Sequence, residues 1–177
     1  MKSIVDQSHD FLKNVLHKGA ICIDATLGWG KDTNFFLENK VRKVYGFEVQ
    51  RAVYEKTISS IQDENFIPVL DGHQNMDVYV KEEVDAIIFN FGYCPGFDSK
   101  IKTEPKTSLD AIQKALALLK IKGRMALVIY PHKEGREESN IIENYLMKID
   151  PHSFYIEKRV QLNQGRSPYL IGVEKLK

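Results

Sequence analysis

The stretch from Ile21 to Thr33, reading ICIDATLGWGKDT, limits the folds open to this chain more than any other. Its short apolar start, with β-branched Ile21 and Ile23, predicts a strand buried on both faces. The run breaks at Gly28 and Gly30, where a turn without side chains brings backbone amides close to a ligand. Asp32 and Thr33 then open an amphipathic segment, Asn34-Phe35-Phe36-Leu37, that reads as helix. A strand, a glycine turn and a helix start make a cradle for a nucleotide cofactor, with amides at the helix start aimed at the ligand. A dinucleotide fingerprint asks for a third glycine, and that position holds Thr33.

The rest of the chain repeats the strand–helix alternation. Ile4, Val5, Phe11, Leu12, Val15 and Leu16 predict an amphipathic N-terminal helix over about residues 3–16, with Ser3 as N-cap and Gly19 after its end. Val44–Glu48 is a second strand, Gln50–Ile61 a helix, and Phe66–Leu70 a third strand closed by Asp71-Gly72-His73. Val84–Asn90 is a fourth strand, followed by a long Gly/Pro/Lys loop through Glu104. Thr107-Ser108 cap a helix carrying Leu109, Ile112, Leu116 and Leu119, and Gly123 precedes a fifth strand, Met125–Tyr130. Glu134, Glu137 and Glu138 favour a further helix start, with Ile141, Ile142, Tyr145, Leu146 and Ile149 as its apolar face and Pro151 after its end. Phe154–Gln161 and Tyr169–Val173 read as a terminal antiparallel pair. Five strands alternating with helices predict a doubly wound parallel sheet with right-handed crossovers. Two last strands without a helix between them distinguish an S-adenosylmethionine methyltransferase sheet from a dehydrogenase sheet. With 177 residues and no internal repeat or linker, one domain over 1–177 is expected.

Composition excludes several classes. No apolar run approaches the roughly 20 residues of a membrane helix, and the N-terminus lacks a signal-peptide core. Cys22 and Cys94 are far apart without a CxxC, so neither a disulfide framework nor a zinc site is indicated, and a reducing cytoplasm is the expected location. A net charge of +1 argues against bulk electrostatic binding of nucleic acid, leaving local patches.

Three constellations carry candidate chemistry. Asp24 with Gly28, Gly30, Asp32 and Thr33 fits the methionine part of S-adenosylmethionine, a carboxylate pairing with its ammonium group; the plainer reading is a structural turn with a capping Asp. Glu48, 20 residues beyond Gly28 at a strand end, suits the two ribose hydroxyls, with Gln50 beside it; a solvated glutamate is the alternative. Gly72 and His73 at the third strand end border the adenine, or form a loop with a capping histidine. Asn90-Phe91-Gly92-Tyr93-Cys94-Pro95-Gly96 resembles the Asn-Pro-Pro-Tyr motif of amino-group methyltransferases. There an amide oxygen and a backbone carbonyl hold the N–H bonds of an amine and aim its lone pair, while an aromatic stacks on the base. Holding donor and acceptor in line is worth up to roughly 7–11 kcal/mol. The rival is a strand-to-loop turn with an Asn cap. Lys100, Lys102, Lys106, Lys120, Lys122, Arg124, Lys133, Arg136 and Arg166 supply local positive charge for phosphates, or are solvated. Asn163–Pro168 borders the substrate mouth or forms a turn.

Taken in order, Asp24-Ala25-Thr26-x-Gly28-x-Gly30-x-Asp32-Thr33, Gly46-Phe47-Glu48-Val49-Gln50, Phe89–Gly96, Thr107-Ser108-Leu109 and Asn163-Gln164 resemble one family over about Gly19–Lys175. It is that of bacterial rRNA-methylase-type proteins assigned as tRNA wobble-uridine methyltransferases of the MnmM type. The resemblance implies a Rossmann-like class I α/β fold: a seven-stranded, mostly parallel sheet with an antiparallel C-terminal strand and helices on both faces. It implies methyl transfer from S-adenosylmethionine to the amine of 5-aminomethyl-2-thiouridine at the tRNA wobble position, without a metal and without a membrane. The partner would be the tRNA anticodon stem-loop, and a homodimer would extend the RNA surface. Carried over by position, the cofactor site comprises Asp24, Thr26, Gly28, Trp29 through its backbone amide, Gly30, Asp32, Thr33, Glu48, Gln50, Gly72, His73 and Asn90. Asn90 and Tyr93 face the transferring methyl, and Phe91, Gly92, Tyr93, Pro95, Lys100, His132 and Arg166 meet the substrate. The chain departs from the family at Trp29, usually Asn, at Glu48, usually Asp, at Cys94, usually Leu, and in a turn at 130–135 that is one residue shorter. The alternatives are methylation of an rRNA base or a small amine, and a non-catalytic module binding S-adenosylmethionine or RNA. A dinucleotide oxidoreductase is the weakest, lacking the third glycine and a substrate domain.

Overall fold

Strands buried on both faces build this molecule from a central sheet outward. A computed structural model of the chain describes residues 2–91, 105–131, 136–165 and 167–177. The strands are β1 (Ile21–Asp24), β2 (Lys43–Phe47), β3 (Phe66–Val69), β4 (Val84–Phe91), β5 (Leu119–Ile129), β6 (Phe154–Arg159) and β7 (Tyr169–Lys175). The helices are α1 (Ile4–Lys13), α2 (Lys31–Glu38), α3 (Arg51–Ser60), α4 (Met76–Tyr79), α5 (Pro105–Leu118) and α6 (Arg136–Leu146). The sheet has seven strands in the order β3-β2-β1-β4-β5-β7-β6. The first five are parallel to one another; β7 is antiparallel to both β5 and β6. The predicted architecture stands, with β7 placed inside the sheet and β6 at its edge.

Successive side chains of a strand point to opposite faces, so each strand contributes to two cores. Ile21, Ile23, Ile87, Phe89, Met125 and Leu127 pack on one face with Met76, Ile112, Leu116, Ile142 and Leu146 from α4, α5 and α6. Cys22, Val44, Ala86, Ile88, Ala126 and Leu170 pack on the other with Phe11 and Leu12 of α1 and Phe36 of α2. Gly172 is part of this second face, where a Cβ would sit 2.9 Å from the Phe11 ring. No helix of the described residues is long and apolar enough to cross a membrane.

Most boundaries shift by a residue or two, and four differ for a physical reason. α1 is shorter than 3–16: Ser3 caps it by a reciprocal box with Asp6, and it ends at Asn14. α2 begins at Lys31, one residue early, because Gly30 in a left-handed conformation is its N-cap. α5 begins at Pro105, so Thr107 and Ser108 lie in its first turn, and the Ser108 hydroxyl donates instead to the Glu138 carboxylate. Gly123 lies within β5 rather than before it. The register shifts from Val84 opposite Leu119 to Ala86 opposite Arg124, leaving an excursion with Lys122 at φ 66°. A 3₁₀ turn, His73–Asn75, and α4 fill the β3–β4 connection, where no helix was expected.

Candidate active site

In an open α/β sheet, ligands enter at the carboxyl ends of the strands where the order reverses. Here that point lies between β1 and β4, the two strands from which the chain winds outward in opposite directions. The glycine turn follows β1 at this edge. The Ala25 amide donates to the Ile88 carbonyl at 2.9 Å, and the Asn90 amide donates to Thr26 Oγ1 at 2.8 Å. The end of β4 and the start of the turn are therefore tied together across the crevice.

The parity of the strands puts Asp24 and Asn90 on one face, following Cys22 on β1 and Ala86 and Ile88 on β4. Asp24 is fully buried; Thr33 Oγ1 donates to its Oδ2 at 2.8 Å and the Thr26 amide to its Oδ1 at 3.2 Å. Burial, and then the charge of Asp32, push its carboxyl up to about 7. Asp32, in the first turn of α2, accepts a bond from His9 Nε2 at 2.7 Å.

Gly28 and Gly30 have φ of 46° and 74°. Thr57 Oγ1 on α3 donates to the Gly28 carbonyl at 2.6 Å, and a Cβ on Gly30 would meet Ile61 Cδ1 at 2.4 Å. The turn is thus pressed against α3, and these two glycines permit the approach. Glu48 follows β2: its Oε2 accepts from the Gly28 amide at 3.2 Å and its Oε1 from the Gln50 amide at 2.8 Å. Burial raises its carboxyl above the ordinary range, against the pull of those amides.

Gly72 and His73 lie at the far side. His73 is buried, with Nδ1 donating to the Ala25 carbonyl at 3.0 Å and its ring edge-on to Phe89 and Phe91. Burial lowers its proton affinity, so it is a neutral ring bracing the turn. Asp71 beside it accepts from Asn75 and from the Tyr79 hydroxyl, each at 2.9 Å. Trp29 is partly exposed, with the Lys56 ammonium 5.7 Å from its ring. Phe91 is buried on the opposite face from Asn90, packed on Phe89, so its side chain is a core residue rather than a substrate contact. Gly92, Tyr93, Pro95, Lys100, His132 and Arg166 lie outside the described residues, as do Cys94, Lys102 and Lys133. Cys22 is buried in the core as expected. Lys120 and Arg124 are engaged elsewhere, with Asp85 and with Glu174.

The structure therefore gathers Asp24, Thr26, Gly28, Gly30, Asp32, Thr33, Glu48, Gln50, His73 and Asn90 around one crevice. Two participants have no signal in the sequence: His9 and Thr57. Neither stands in a motif, and each acts through a contact made only in three dimensions. Among the described residues no cluster of three or more His, Cys, Asp or Glu is placed to hold a metal.

The model of the family described as "Putative rRNA methylase" matches residues 44–174. The chain belongs to that family. This methylase is 34% identical to a protein from Clostridium thermocellum solved as an rRNA methylase of the same description, with a TM-score of 0.94 and 99% of each chain covered. It is 39% identical to a putative methyltransferase from Streptococcus mutans solved in complex with SAH, with a TM-score of 0.91 and 99% of each chain covered. A curated relative, the chloroplastic tRNA (mnm(5)s(2)U34)-methyltransferase of Arabidopsis thaliana, is 29% identical over 191 residues, covering 98% of the methylase and 70% of that protein.

Proposed function

We propose that this S-adenosylmethionine-dependent methyltransferase acts on tRNA, methylating the amine of 5-aminomethyl-2-thiouridine at the wobble position to give 5-methylaminomethyl-2-thiouridine. The single observation carrying the reading is Asn90, held by its amide to Thr26 at the crevice, on the same sheet face as Asp24. The curated relative's name supports tRNA over the rRNA of the family description.

The residues present fit the cofactor. Asp24 supplies a buried carboxylate for an ammonium group, Glu48 an acid at the end of β2 for ribose hydroxyls, and Gly28 and Gly30 two turn positions without side chains. The cofactor, when bound, supplies an electrophilic methyl on a sulfonium. Asn90 would accept an N–H of the neutral substrate amine through its side-chain oxygen and aim the nitrogen lone pair at that methyl, which turns proximity into rate. The C–N bond replaces the sulfonium's S–CH3 bond, the thioether leaves, and one proton passes from the amine to solvent. Glu48 holds the sugar while its own oxygens remain fixed by the Gly28 and Gln50 amides.

The test is incubation with S-adenosylmethionine and tRNA carrying the aminomethyl group, read by nucleoside mass spectrometry. Conversion on that tRNA, and none on tRNA lacking the group, is expected. Conversion only of rRNA or of a small amine would replace the substrate assignment. Asn90→Ala should cut turnover by at least tenfold with cofactor affinity within about threefold of wild type; unchanged turnover removes Asn90 from the mechanism.

A further inference from the structure

One side chain of α1 reaches the cofactor crevice. His9 Nε2 stands 2.7 Å from Asp32 Oδ1, and the imidazole lies flat on the Phe35 ring, centroids 3.9 Å apart and planes 4° from parallel. Because a carboxylate only accepts, Nε2 carries the proton of this bond. The side chains of both partners are largely buried, at 19% and 6% exposure, so solvent screens the contact weakly. Asp32 in turn faces Asp24: its charge acts on that carboxyl and also on Tyr130 just past β5. Asp6, one turn earlier on α1, also feels the charge of His9. The helix carrying His9 is fixed independently, by the Ser3–Asp6 cap, by Phe11 seated over Gly172, and by Arg124 donating to the Phe11 carbonyl at 2.9 Å.

Two carboxylates in one buried crevice cannot both hold full charge cheaply. A basic partner on one of them decides which is left to meet a ligand. We propose that His9 is a positioning residue of the cofactor site: it ties Asp32 to α1, so that Asp24 is the carboxylate that takes the ligand's ammonium group. The inference rests on the cofactor reading of Asp24 and not on the identity of the RNA. It makes α1 part of the cofactor site, and it couples ligand binding to release of a proton from Asp24, whose carboxyl lies near 7 in the free protein.

Calorimetric titration with S-adenosylhomocysteine from pH 5.5 to 9 tests this. Wild-type affinity should be level above a midpoint near 7 and fall about tenfold per pH unit below it. In His9→Ala the charge of Asp32 loses its partner, Asp24 ionises less readily, and the midpoint moves up. Affinity at pH 7 then drops several-fold and returns toward wild type by pH 9. Asp32→Asn removes the opposing charge and moves the midpoint down, which keeps the test open if the alanine variant does not fold. A midpoint unmoved in both variants overturns the proposal, as does a loss of affinity in His9→Ala that is uniform across pH. A wild-type protein that binds no S-adenosylhomocysteine at any pH strikes the cofactor reading instead.

Discussion

Asp24 shows how much one buried group can do. Its carboxyl is raised by burial and by Asp32, so it holds its proton to about pH 7, while in the unfolded chain it ionises near 3.8. As pH rises between those values the unfolded state loses the proton first, and the fold loses stability. Asp24→Asn cannot ionise, and the Thr33 hydroxyl can turn to suit an amide. The variant should match wild type at pH 4 and exceed it at pH 8 by about 1–3 kcal/mol in denaturant unfolding. It should also bind S-adenosylhomocysteine at least tenfold more weakly at pH 8, because a charge-assisted contact has gone. Equal stability at pH 8 would mean that the site is less dry than the geometry shows. A residue retained at a cost to stability is what a binding site is expected to contain.

At the scale of elements, the glycine turn joins three pieces whose packing is mutually dependent. Gly30 ends the turn in a left-handed conformation, caps α2, and lies against Thr57 and Ile61 at the end of α3. A methyl group there meets both a strained φ and a side-chain carbon at 2.4 Å. Gly30→Ala should therefore cost about 1–3 kcal/mol in thermal or denaturant unfolding and weaken cofactor binding as well, since the Gly28 amide and carbonyl move with it. The Gly28–Gly30 spacing was legible in the sequence because a Gly-x-Gly after an apolar strand has few other uses. Its dependence on α3 was not, because nothing in the helical spacing of Gln50–Ile61 gives Thr57 a partner outside its own helix.

At the scale of the whole molecule, strand order sets both stability and function. β1, β4 and β5 have partners on both sides and are covered on both faces, while β3 and β6 are edges. Amides of β1, β4 and the Ala126–Ile129 part of β5 should exchange slowest in native-state hydrogen exchange, and those of β6 at least tenfold faster. Slow exchange in β6 matching that of β4 would show that its open edge is covered in solution. The same order places the crevice between β1 and β4, so the most stable part of the sheet carries Asp24 and Asn90.

The sequence by itself determined the elements and their kinds. Period-2 and period-3.6 apolar patterns are local, and the chain carries them clearly enough to name seven strands, the glycine turn and the acids at the ends of β1 and β2. Boundaries failed where a distant partner overruled a local signal, as when Ser108 turned to Glu138 and β5 extended back through Gly123 to meet Val84. The tertiary structure alone decided that β7 inserts between β5 and β6, and that Phe91 turns into the core while Asn90 faces the crevice. It alone brought His9 to Asp32 across 23 residues of chain. Hydrogen bonds and charge coupling depend on separation in space, which sequence spacing fixes only within a single helix or strand.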